Sequence, residues 1–126
     1  MAKLDINSCL RNFKSVYITQ IDLSYFLQIA PLVFKDQTVY AKIKSDVQFV
    51  NQIGTQLFNY FNQKSTEEQT IWYESLKNGV NTSIADANAV KALIPPEDTH
   101  AADLNVILDA FIADYQTILE TIPVIE

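Results

Sequence analysis

The only histidine, His100, stands between Asp98 and Asp103, and chemistry is sought there first. Imidazole is the commonest general acid–base group and a frequent metal ligand. A helical metal site wants a second histidine or a further carboxylate at a matching spacing. The three residues are therefore read as surface groups at a helix start, where acidic side chains complement the dipole. Carboxylates alone could hold magnesium. Asp103 with Asp114, and Asp109 with Glu120, share helix faces but stand eleven residues apart. That is about 16 Å along a helix, too far to share an ion. Cys9 has no base near it in sequence, and a free cysteine is more often a core residue than a nucleophile. One Cys and one His exclude a zinc site, and Gly54 and Gly79 form no phosphate loop. No catalytic residue, metal or cofactor is expected, and the chain is expected not to be an enzyme.

The composition points the same way. The 126 residues are 48% hydrophobic with two Gly and four Pro, too apolar for a disordered chain and too poor in turn residues for a many-stranded sandwich. They are expected to form one helical domain, 1–126. The lone cysteine rules out an intrachain disulfide. The longest apolar run, Ile29 to Phe34, falls far short of a membrane span, and no basic segment followed by an apolar stretch opens the chain. A soluble, cytoplasmic protein is expected, or a virion protein if the source is viral. The net charge is −6, from nine basic and fifteen acidic residues, and Arg11 is the only arginine. Nucleic-acid binding needs clustered cations, so none is expected.

The elements follow from apolar spacing. Ile6, Leu10, Phe13 and Tyr17 recur at helical intervals over 5–19. Residues 16–23 are rich in β-branched types, which leaves a strand as an alternative to the preferred helix. A short second helix opens at Asp22 or Ser24, and Pro31 ends or kinks it. The third helix, about 37–63, carries Tyr40, Ile43, Val47, Val50, Gly54, Leu57 and Phe61 in steps of three and four. Ser65-Thr66-Glu67-Glu68 is a capping-box signature, and Gly79 is placed to cap the end of the helix it opens. Ile71, Trp72 and Leu76 form that helix's apolar face. A fifth helix spans 83–93 with Ile84, Ala87, Val90 and Leu93 inward, before Pro95-Pro96. The last, about 98–121, has the stripe Leu104, Leu108, Phe111, Tyr115, Ile118 and Ile122. The expected fold is all-α: a compact bundle of five to six helices whose two long core helices are 37–63 and 98–121.

Aromatic residues make up 11% of the chain, and not all fit one inward stripe. Phe49 lies off its helix's seam, Trp72 and Tyr73 are adjacent, and Tyr25, Phe26 and Phe34 help cover most of a helix's circumference. A helix apolar all round is buried on all sides, by its own domain or by a partner. Tyr25, Phe26, Phe34, Phe49, Trp72 and Tyr73 are therefore the candidate partner-binding residues. The expected function is a non-enzymatic interaction or assembly protein that binds a protein partner or itself, with a homo-oligomer expected. A virion assembly subunit, or a small viral or bacterial accessory inhibitor, suits the size and acidity. The alternative is a small apolar-ligand module, with a cavity lined by Tyr40, Val47, Phe111 and Tyr115.

Overall fold

A computed structural model describes the backbone of residues 6–60 and 65–121, and the side chains from Tyr17 onward except 47, 50, 51, 53–60, 66, 69, 70, 72, 73 and 121. The described residues form four helices: α1 (Ile6–Val33), α2 (Gln37–Tyr60), α3 (Thr66–Ala92) and α4 (Ala101–Thr121). No strand occurs among the described residues. Residues 16–23 are helical throughout. The expected count of five to six helices is corrected to four, because two expected breaks do not occur.

The first is expected between residue 19 and Asp22 or Ser24, but α1 runs straight through, with Thr19, Leu23 and Phe26 buried on one stripe. Pro31, expected to end or kink the second helix, lies inside the last turn of α1. Proline there removes one ladder bond, at a cost of about 3 kcal/mol in a helix interior. Against that, Phe26, Ala30, Val33 and Phe34 on either side of it are buried in one core, and each large side chain is worth roughly 1.5–3 kcal/mol. The helix closes past the proline with the Phe34 amide donating to the Ala30 carbonyl at 2.8 Å. Burial wins over the local signal.

The second is at Gly79, which caps nothing. No described residue has a positive φ, and α3 runs on because one inward stripe passes through the glycine. Leu76, Val80, Ser83, Ala87, Val90 and Ile94 are all buried, in alternating steps of four and three. The glycine serves packing: the Phe49 ring of α2 lies where a Gly79 side chain would be. Two apolar residues expected inward on this helix are corrected. Ile71 and Leu93 are exposed, and Ile94 takes the core position after Val90.

The remaining helix starts follow ordinary capping. The Asp36 carboxylate accepts from the Thr38 amide at 2.9 Å, and that bond holds the Asp36 carboxyl below its usual range. Ser65 caps α3, accepting from the Glu68 amide at 3.2 Å while the Glu68 carboxylate accepts from the Ser65 amide at 3.4 Å. Ser65→Ala is expected to cost about 1 kcal/mol by chemical denaturation, since the Glu68 amide loses its partner. Before α4, Asp98 accepts from the His100 amide at 2.8 Å. The helix then begins at Ala101, three residues beyond the expected start near 98.

The four helices meet in cyclic order. α1 packs against α2 and, most extensively, α4, and α3 closes the ring against α2 and α4. Their inner stripes build one core. α1 contributes Thr19, Leu23, Phe26, Ala30 and Val33, and α4 contributes Ala101, Leu104, Leu108, Phe111, Tyr115 and Ile118. From α2 come Val39 and Ile43, with Tyr40 half-buried on the flank. Expected inner side chains at Ile6, Leu10, Phe13, Val47, Val50, Gly54, Leu57, Phe61 and Ile122 lie outside the described residues, as does that of Cys9. No helix among the described residues is long and apolar enough to cross a membrane.

Candidate functional site

α1 has two apolar faces. Its inner stripe, Thr19 to Val33, is buried by the other helices. On the opposite side Tyr17, Ile21, Tyr25 and Leu32 follow one another in steps of four, four and seven, with Ile18 beside them. These five are exposed by 59% (Tyr17), 43% (Ile18), 47% (Ile21), 58% (Tyr25) and 67% (Leu32). At 1.5 Å per residue the outer stripe is about 22 Å long. Ser24, Gln28 and Pro31 complete the exposed surface between Tyr17 and Leu32, and none is charged. Asp22, the only charged residue in that interval, is half-buried and acts on Asp114 of α4. The surface is thus a continuous, uncharged, partly aromatic stripe. Such stripes are uncommon on isolated monomers and common at contact surfaces.

The residues singled out from the sequence fall in different places. Tyr25 lies on this stripe. Phe26 and Phe34 are buried in the core, so these two rings face the chain's own helices and not a partner. Phe49 is half-buried against the core and Gly79. The side chains of Trp72 and Tyr73 lie outside the described residues. Of the proposed cavity lining, Phe111 and Tyr115 are fully buried with ring centroids 4.1 Å apart. They fill space against each other. Tyr40 is half-buried, and the Val47 side chain is outside the described set. Tyr17, expected on the inner stripe, faces outward. Ile18 and Ile21 were not singled out at all. Their signal was available: once α1 is continuous, Tyr17 to Leu32 keeps a single phase.

A second feature lies inside. Among the described residues, each helix carries a polar residue on or beside its inner stripe: Thr19 on α1, Asp46 on α2, Ser83 on α3 and Tyr115 on α4. Thr19 and Ser83 are buried, and the Ser83 hydroxyl donates to the Gly79 carbonyl at 2.9 Å. Asp46 meets Asp86 of α3 across the α2–α3 seam, with Ser83 beside it and Lys42 one turn away. Burial, then the Asp86 carboxyl, pushes Asp46 up to about 7, against the pull of Ser83 and Lys42. Asp114 meets Asp22 across the α1–α4 seam. Burial, then Asp22, pushes it up to about 6, with Thr19 opposing. The Tyr115 phenol is raised by burial and by the Asp46 charge, against the Ser83 hydroxyl. One oxygen of Asp46, one of Asp114 and the Tyr115 hydroxyl are buried without a well-formed hydrogen bond to the protein.

His100 is half-buried, but the group that Asp98 engages is its amide rather than its ring. Asp103 is exposed in the first turn of α4. Among the described residues no group of three or more His, Cys, Asp or Glu side chains is arranged to hold a metal ion. No protein-family model matches the chain, and no curated protein and no solved structure is significantly similar to it.

Proposed function

We propose that the chain is a non-enzymatic interaction protein that assembles with a second copy of itself through the outward face of α1. The observation that carries this reading is the uncharged apolar stripe Tyr17–Ile18–Ile21–Tyr25–Leu32. A chain of net charge −6 repels its own copies over most of its surface. The stripe offers a second copy apolar contact without that repulsion. A cationic partner would want carboxylates there, and the exposed side chains of this interval have none. Two such stripes laid against each other, with steps of four and seven, interdigitate as paired helices do. The polar ends of Tyr17 and Tyr25 can reach solvent at the rim while their rings are covered.

Single substitutions to glutamate test this. Ile21→Glu or Tyr25→Glu puts a charge, and its symmetry mate, into the apolar seam, at a cost of about 3 kcal/mol or more. The dimer dissociation constant is expected to rise by about 100-fold or more in sedimentation experiments. Ile71→Glu changes a still more exposed isoleucine on α3, which has no extensive contact with α1, and is expected to leave the association unchanged. Equal effects of all three substitutions would contradict a seam on α1. A monomeric parent chain would contradict self-association and leave the stripe to a different protein.

A further inference from the structure

Two pairs of aspartates face each other across helix seams, Asp46 with Asp86 and Asp22 with Asp114. Four helices each contribute one carboxyl. In each pair one carboxyl oxygen, on Asp46 and on Asp114, is buried with no donor directed at it. An ionised carboxylate accepts hydrogen bonds and cannot give one, so two of them side by side repel and leave that oxygen unmatched. A single proton resolves both problems. The protonated member donates to the ionised one, and the oxygen without a donor becomes the hydroxyl that gives the bond.

From this geometry we infer that the two pairs are proton-held clasps: each closes its seam, α2–α3 or α1–α4, by sharing one proton, and loss of that proton to solvent loosens the seam. The groups around each clasp are few. Asp46 faces Asp86 and Ser83 of α3 and the Tyr115 hydroxyl of α4, with Lys42 on its own helix. Asp114 faces Asp22 and Thr19 of α1. Lys42 is an exposed side chain that partly offsets the Asp46–Asp86 repulsion without supplying the missing proton. Among the described residues no cation acts on the α1–α4 clasp.

The sign follows from linkage. A carboxyl raised on folding binds its proton more tightly in the folded chain than in the unfolded one, where it titrates near 3.8. The stabilisation is therefore complete below about pH 4 and is lost as pH rises through about 6 for Asp114 and about 7 for Asp46. The thermal midpoint is expected to fall by several degrees between pH 5 and pH 8. In Asp46→Asn/Asp114→Asn the amides can still donate to Asp86 and Asp22. This variant is expected to lose most of the pH dependence and to melt above the parent at pH 8. Glu97→Gln, an exposed charge removed elsewhere, controls for net charge and is expected to keep the parental slope. A carbon-13 NMR titration of the parent's aspartate carboxyls reads the clasps without mutation. Carboxyls of Asp46 and Asp114 that titrate near pH 4, or a double variant with the parental slope, would overturn the inference.

Discussion

Phe111→Ala is expected to destabilise the protein by about 3–5 kcal/mol, the usual cost of removing a buried phenylalanine ring and leaving a cavity. The ring is fully buried and lies against Tyr115, with 47° between the ring planes. It belongs to α4, the helix that makes the most extensive contact in the fold through its packing on α1 and also borders α3. Its loss therefore weakens the core at the junction of three helices, next to the polar residues Tyr115 and Asp114. For a chain of this size the thermal midpoint is expected to fall by roughly 10–20 °C. Phe111→Leu keeps most of the volume and is expected to cost about 1–2 kcal/mol. A loss below about 1 kcal/mol for the alanine variant would show that the ring lines open space, as a ligand cavity there would require.

Gly79→Ala is expected to invert the usual order of helix propensity. In an exposed helix interior the change stabilises by about 1 kcal/mol. Here the new methyl would overlap the Phe49 ring, so the ring must leave its place between α2 and α3. Overpacking of this kind costs about 1–3 kcal/mol. Denaturant titration is expected to show net destabilisation, and Phe49→Ala combined with Gly79→Ala to show a coupling of opposite sign. The double variant fills with one methyl part of the space the ring gave up. A stabilised single variant would mean that the Phe49 ring moves aside freely and that the seam is loosely packed.

These two positions also show where sequence reading succeeded and where it failed. The stripe of α4 was legible from Leu104 to Ile118 because nothing interrupts its steps of four and three. α1 and α3 were each divided in two, α1 ahead of Asp22 or Ser24, which can open a helix, and α3 at Gly79, which can close one. Those local meanings lost to burial along the inner stripe of each helix, since helices in proteins are held chiefly by tertiary packing. The division also obscured the outer face of α1. With a break before Tyr25, Tyr17 was placed on the inner side and Phe26 and Phe34 were offered to a partner. In one continuous helix their phases separate, with Tyr17 and Tyr25 outside and Phe26 inside. The carboxyl pairs were hidden for a different reason. Acidic spacing was sought along single helices, while Asp22 meets Asp114 and Asp46 meets Asp86 only through the cyclic packing of four helices. A local hint existed in the polar residues on otherwise apolar stripes: Thr19, Asp46, Ser83 and Tyr115. It becomes readable only once the helices are counted correctly.

The central claim, that the outer face of α1 joins two copies of the chain, is tested most directly by the solution mass of the purified protein across a tenfold dilution, measured by light scattering. About twice the mass of one 14.3 kDa chain is expected, held through the dilution. A mass of one chain at every concentration would contradict it.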